Sequence, residues 1–140
     1  MTTGGEGPLV QIFYTGTAFV VSDDGLLVTN RHVAYPWEFE DNAQFTLDAG
    51  FVAERRGFIG FLPGVEDPVD LEAVAAIDVA DVALLRIRQP DPATSPRPPV
   101  PVPPPLLIAE AAPNLGDEVV VMGYPAGVEA LLARADPKFA

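Results

Sequence analysis

Short runs of apolar, β-branched and aromatic residues alternate along this 140-residue chain with turn sequences rich in Gly, Asp and Pro. This alternation is typical of an all-β domain whose strands are joined by tight turns. The strands it predicts are residues 9–14, 19–21, 26–28, 43–47, 51–61 (with a bulge or bend at 54–57), 82–87, 106–109 and 119–122. Residues 71–77 fit a strand or one helical turn, and 128–135 are predicted as a helix because good helix formers precede an Asp-Pro stop.

The stretch from Gly16 to Ala34 predicts a β-hairpin followed by a sharp bend. Its turn, Asp23-Asp24-Gly25, contains a glycine that accepts a positive φ, and Thr29 or Asn30 can cap the segment that follows. His32, the only histidine in the chain, therefore lies just past a buried strand, where a rigid scaffold presents it to the surface. A histidine without such a setting is more often structural, so the hairpin decides its interpretation.

A second informative stretch runs from Asp78 to Ile87. Its residues 82–87 are largely apolar, as expected of a strand buried within a closed barrel. An aspartate at the head of such a strand is partly removed from water and needs a hydrogen-bond donor. Taken alone, Asp81 is an acidic cap on a core strand.

Together the two stretches resemble trypsin-like serine proteases, especially the bacterial HtrA-like branch. In that family a Thr-Asn-x-His-Val run after an Asp-Gly hairpin carries the catalytic histidine, and an Asp-Ile-Ala-Leu-Leu-Lys element begins with the triad aspartate. The resemblance implies that His32 is the catalytic base and that Asp81, rather than Asp78, is its orienting carboxylate. It also implies a chymotrypsin-like, Greek-key β-barrel over residues 1–88.

The loop after His32 contains Pro36, which ends any helical turn there. Its aromatic residues, Trp37 and Phe39, either wall a substrate cleft or cover the end of the barrel. The general tendency of aromatic side chains toward burial favours the second interpretation.

Residues 89–105 contain nine prolines in seventeen positions, so they cannot build a sheet ladder and favour extended polyproline geometry. An interdomain connector is the simpler interpretation, and a Pro98-Pro99-Val100-Pro101 ligand for an SH3-type partner is the alternative. The Gly-Asp-x-Val-x-x-x-Gly-x-Pro-x-Gly pattern from Gly116 resembles the opening of the second barrel in HtrA-like proteases. Residues 106–140 are therefore predicted to begin a second barrel and to include a short helix.

Charge and composition narrow the classes of partner. A net charge of −12 repels phosphate backbones, and no apolar run is long enough to cross a bilayer, so neither nucleic acid nor membrane is expected. One histidine and no cysteine cannot supply the usual zinc ligands, and no cofactor is predicted. The absence of cysteine suits a reducing compartment, and no signal peptide is visible, which favours the cytoplasm over the periplasm or secretion.

The family nucleophile, the serine of Gly-x-Ser-Gly-Gly, has no counterpart in this sequence. The two serines, Ser22 at the hairpin turn and Ser95 in the proline-rich segment, lack flanking glycines, whose backbone N–H groups form the oxyanion hole. The chain is therefore predicted to be the N-terminal portion of a trypsin-like serine endopeptidase, inactive alone. Its expected partners are a peptide or protein substrate and a C-terminal barrel in cis or trans, and unpaired strand edges also allow a homodimer. One chain of a split protease and a non-catalytic, protease-derived binding barrel are the alternatives.

Overall fold

A computed structural model describes residues 2–3, 14–39, 47–55 and 57–124. Short helical segments, among them α1 (Arg31–Ala34) and a 3-10 turn (Pro36–Glu38), are set among strands in this part of the chain. The strands are β1 (Thr2–Thr3), β2 (Ala18–Val20), β3 (Leu26–Thr29), β4 (Phe51–Val52), β5 (Ile59–Gly60), β6 (Val69–Ile77) and β7 (Val82–Ile87). The predicted all-β class is confirmed.

Five of these strands form one antiparallel sheet in the order β2-β3-β7-β6-β5, while β1 pairs with β4. Residues 71–77, which the sequence left open between strand and helix, belong to β6. A register shift between Ala73 and Ala75 interrupts the β6–β7 ladder. Such a bulge bends and twists its strand, and it contributes to the curl of the sheet into a half-barrel.

The β2–β3 hairpin forms as its turn sequence predicts. Gly25 has φ 86°, and a Cβ at this position would approach the Ile87 side chain to 3.3 Å. Both facts explain why glycine occupies the turn. The Ser22 hydroxyl accepts a hydrogen bond from the Leu26 N–H at 3.0 Å, and the Gly25 carbonyl accepts one from the Ile87 N–H at 2.9 Å. The turn is thus tied to the end of β7.

The core lies on one face of the sheet and follows the two-residue alternation of β3 and β7. Its buried apolar members are Val20, Leu27, Ala34, Val69, Leu71, Ala83, Leu85 and Ile87. Thr29 is a buried polar residue, and its hydroxyl donates to the Thr17 carbonyl at 2.7 Å. Burial of this apolar set, with its polar member hydrogen-bonded, is what stabilises the sheet.

The proline-rich segment lies along the barrel. The Gln89 side-chain amide donates to the Val100 carbonyl at 3.0 Å and accepts from the Val100 N–H at 2.8 Å. These two bonds hold together the ends of the loop formed by residues 89–100. Val100 and Val102 pack against the core, and the Leu106 N–H donates to the Val20 carbonyl at 2.8 Å. The segment therefore covers one side of the hairpin.

Three sequence predictions differ from the structure. Residues 51–61 contain two short strands, β4 and β5, separated by residues 53–58. Residues 106–109 and 119–122 form no strand, so the prediction of strands there is wrong for the described chain. Their apolar side chains are exposed, and a hydrogen bond such as that from the Leu106 N–H to the Val20 carbonyl of β2 does not by itself make a ladder. High β-propensity alone therefore does not produce a strand, since regular pairing with a neighbouring strand is also needed.

Other predictions fall outside the described residues, namely the helix at 128–135 and nearly all of the strands at 9–14 and 43–47. The domain boundaries at 88 and 105 stay predictions.

We predict that Leu85→Ala lowers the free energy of unfolding by about 2–5 kcal/mol, because it opens a cavity beside fully buried neighbours. Leu107→Ala, which removes the same atoms from an almost fully exposed side chain, is the matched control and changes it by less than about 0.5 kcal/mol. Urea unfolding followed by fluorescence measures both. Equal effects of the two substitutions would contradict the placement of the core.

Candidate active site

His32 lies in a single helical turn that starts directly after β3. Asn30 is still extended, with φ −74° and ψ 147°, and α1 then runs from Arg31 to Ala34. The Tyr35 N–H closes the turn on the Arg31 carbonyl at 2.7 Å, and Pro36 begins the 3-10 turn. Since proline lacks an N–H group, α1 cannot continue past this point, as the sequence predicts. The His32 side chain is left 52% exposed at the end of the strand.

Asp81 is brought to the same place by strand register. It lies in the turn that joins β6 to β7, immediately before Val82. Because β7 is antiparallel to β3 and pairs Ala83 with Thr29, the residues just before β7 lie opposite those just after β3. The sheet therefore places Asp81 beside the start of α1, although 49 positions separate it from His32 in the chain.

The two predicted site residues are in direct contact. His32 Nδ1 and Asp81 Oδ2 are 2.5 Å apart, and the His32 backbone N–H donates to Asp81 Oδ1 at 2.9 Å. One carboxylate thus holds both the ring and the main chain of the same histidine. With Nδ1 engaged in this way, Nε2 is the ring nitrogen that can exchange a proton with another group.

Asp81 also replaces the expected helix cap. Asn30 occupies the N-cap position without a side-chain capping bond, and Thr29 turns its hydroxyl to the Thr17 carbonyl. The Asn30 amide donates instead to the carbonyl and to Oδ2 of Asp81, at 3.1 and 3.2 Å. A charged carboxylate is a stronger acceptor for free N–H groups than a neutral side chain, so the cap comes from across the sheet.

The electrostatics of Asp81 follow from these bonds. Its pKa is lowered, chiefly by the hydrogen bond from the His32 backbone N–H. The His32 ring and the Arg31 backbone N–H lower the pKa further, while partial removal from water opposes them. Asp81 is therefore ionised at neutral pH.

A cleft of about 320 Å³ opens beside the imidazole and is lined by Tyr14, Thr15, His32, Val33, Pro36 and Phe39. The Phe39 ring meets the His32 ring edge to face, with centroids 6.3 Å apart. Phe39 therefore lines the cleft, whereas Trp37 packs edge to face on Tyr35. The structure thus supports the cleft-wall interpretation for Phe39, and coverage of the barrel end by Trp37 stays a prediction.

A family model of the trypsin-like peptidase domain matches residues 16–137. The chain belongs to the trypsin-like peptidase family. No curated protein and no solved structure matches the chain. The match covers the hairpin, both residues of the His–Asp pair and the proline-rich segment of this peptidase domain.

Two arginines of the peptidase domain have site contacts that sequence reasoning missed. Arg55 donates to the carbonyl of Ala34 at the end of α1, and its guanidinium lies 5.0–5.2 Å from the ring centroids of Tyr35, Trp37 and Phe58. Arg31 contacts acidic side chains on both sides of α1. Arg55 could have been noticed as a basic residue that interrupts the apolar residues of 51–61. The sequence around it does not predict which residues it contacts.

Within the described residues, no cluster of three or more His, Asp or Glu side chains is arranged to hold a metal ion. No helix in the same part of the peptidase domain has the length and apolar character needed to cross a bilayer.

Because the pKa of Asp81 is lowered in the folded protein, the Asp81 carboxylate stabilises the fold more at neutral pH than at acid pH. Because the folded-state pKa lies below the ordinary value of 3.8, the stabilisation is present above that value and is lost as pH falls through the folded pKa. We predict that Asp81→Asn lowers the Tm most at neutral pH and that the difference from wild type shrinks on acidification below about pH 4.

Asp70→Asn, which removes one carboxylate from the exposed side of β6, is the charge-matched control for thermal unfolding between pH 3 and 7. A Tm difference for Asp81→Asn that grows toward acid pH would contradict the assignment.

Proposed function

We propose that this chain supplies the base and the orienting carboxylate of a Ser-His-Asp endopeptidase. His32 is the general base and Asp81 holds its ring. The observation that carries the proposal is the 2.5 Å contact between His32 Nδ1 and Asp81 Oδ2, at the edge of an open cleft. The substrate class is peptides and proteins.

The pair has the chemistry that peptide hydrolysis requires. His32 Nε2 takes the proton of an attacking serine hydroxyl and returns it to the leaving amine. Asp81, ionised and bonded at Nδ1, keeps the imidazole in the tautomer that leaves Nε2 as the acceptor, and it stabilises the imidazolium formed during the reaction. The second hydrogen bond, to the His32 backbone, fixes the carboxylate while the ring changes its charge.

The nucleophile must come from outside the described barrel. Ser22 lies in the β2–β3 turn, at the end of β3 opposite to His32, and the strand between them is roughly 13 Å long at about 3.3 Å per residue. Its hydroxyl bonds to Asp24 and to the Leu26 N–H. Ser95 accepts from the Arg97 N–H within the proline-rich segment. Both hydroxyls thus bond to neighbouring residues of their own loops, and neither forms a hydrogen bond with His32 in the described part of the chain.

A second barrel that carries Gly-x-Ser-Gly-Gly, in the same polypeptide or in another, completes the proposed enzyme. The exposed apolar run at residues 119–122 supports this, since such a surface is normally covered by another element. Membership of the HtrA-like branch is part of the proposal and rests on the sequence resemblance.

We expect the isolated chain to hydrolyse no casein and to resist labelling by a fluorophosphonate, because both the serine and the oxyanion hole are absent. Gel-based cleavage and fluorescence labelling measure the two effects. Casein hydrolysis by the purified chain that survives His32→Ala would overturn the assigned role of His32.

Supplying a second barrel with a Gly-x-Ser-Gly-Gly serine, by fusion or by mixing with a separately purified barrel, should create peptidase activity. His32→Ala should abolish the activity, and Asp81→Asn should lower kcat by about 10⁴-fold because it favours the wrong tautomer. Asp70→Asn should leave kcat within about threefold of the parent, as expected for a surface change.

Peptide binding that persists in His32→Ala and Asp81→Asn, with no activity in any fusion, would favour a non-catalytic binding barrel. Isothermal titration of a peptide into the His32→Ala, Asp81→Asn and Asp70→Asn variants makes that distinction.

A further inference from the structure

Arg31, the residue before His32, extends its guanidinium to both sides of α1. Nε and Nη2 lie 2.9 and 2.8 Å from Glu38 Oε2. On the other side, Nη1 donates to Asp78 Oδ1 at 2.9 Å and to the Ile77 carbonyl at 3.3 Å. The side chain is only 19% exposed, although the residue lies at the surface end of the sheet. One planar group therefore joins three acceptors from two separate segments.

Both segments matter to the His–Asp pair. Glu38 ends the 3-10 turn and precedes Phe39, whose ring contacts the imidazole. Ile77 ends β6, and Asp78 begins the turn that leads to Asp81. Arg31 thus connects the wall of the cleft to the turn that carries the carboxylate, with His32 between them.

The β6–β7 turn has little packing of its own. Val79 is 94% exposed, and the Asp78 side chain is 91% exposed. A turn with so few buried contacts keeps its position mainly through hydrogen bonds at its ends. Asp81 anchors one end through His32 and Asn30, and Arg31 anchors the other.

We propose that Arg31 is a positioning residue for the His32–Asp81 pair, because it ties the start of the β6–β7 turn to α1 and so fixes the direction from which the carboxylate approaches the ring. Its importance for catalysis rests on the proposed function, whereas its effect on the geometry of the pair does not.

The contribution is geometric more than energetic. An ion pair with a carboxylate as exposed as that of Asp78 adds little to stability. The planar guanidinium donates in two directions at once, and a lysine ammonium does so poorly. Loss of Arg31 should therefore leave the fold nearly as stable while the carboxylate becomes free to move.

The experiment is NMR of the imidazole in the full chain labelled with ¹⁵N, and the single histidine makes the assignment unambiguous. We expect His32 of the wild type to be mainly the Nδ1–H tautomer with a protected proton. Arg31→Ala should raise the exchange rate of that proton by about threefold or more, within the range expected for loss of an ion pair, with a Tm within about 4 °C of wild type.

Arg31→Lys keeps the charge but lacks the planar guanidinium that donates in two directions. It should therefore raise the exchange rate of the Nδ1 proton as Arg31→Ala does. Arg88→Ala is the matched control, because it removes the same charge from a pair with Glu72, at 3.6 Å, away from the turn, and it should leave the imidazole signals unchanged.

The proposal would be overturned if Arg31→Ala or Arg31→Lys left the exchange rate of the His32 Nδ1 proton at its wild-type value. It would also be overturned if Arg88→Ala raised that rate as much as Arg31→Ala does. A wild-type His32 without a protected Nδ1 proton would instead overturn the His–Asp pair, and with it the proposed function.

Discussion

The pairing of β3 with β7 is the constraint on which both the core and the candidate site depend. Thr29 lies opposite Ala83, so Leu85 and Ile87 face the core while Asp81 reaches the start of α1. A slip of one residue would turn the buried side chains of β7 outward and carry the carboxylate away from His32. Burial of the core therefore also holds the His–Asp pair together, even though the pair is exposed to solvent.

The single turn of α1 has its geometry imposed from outside. Four residues are too few to form a stable helix in isolation, since nucleation costs more than one turn returns. Asp81 accepts from the backbone N–H groups of His32 and Arg31 at its start, and Arg55 donates to the Ala34 carbonyl at its end. Close packing adds a further restraint, because a Cβ on Gly16 would collide with Val33. The position of His32 thus depends on partners from three other segments.

Sequence reasoning identified the parts of this arrangement that local patterns encode. The hairpin turn, the proline that ends α1 and the apolar run of β7 are each contained in a few consecutive residues. Local patterns do not encode contacts such as that of Arg31 with the Ile77 carbonyl, 46 positions away, or that of Arg55 with Ala34, 21 positions away. The strands predicted at 106–109 and 119–122 were wrong for a related reason, since an apolar run specifies a tendency and the partner strand decides the outcome.

After the proline-rich segment the chain returns to the N-terminal hairpin. Leu106 donates to the carbonyl of Val20 on the edge strand β2, and the Tyr124 N–H donates to the Thr17 hydroxyl at 2.8 Å. Thr17 is two residues from Thr15, which lines the cleft beside His32. The described chain thus returns to the open side of the candidate site after leaving the barrel. Residues 106–124 are therefore held to the N-terminal hairpin at two points, Val20 within β2 and Thr17 directly before it, even though most of their apolar side chains stay exposed.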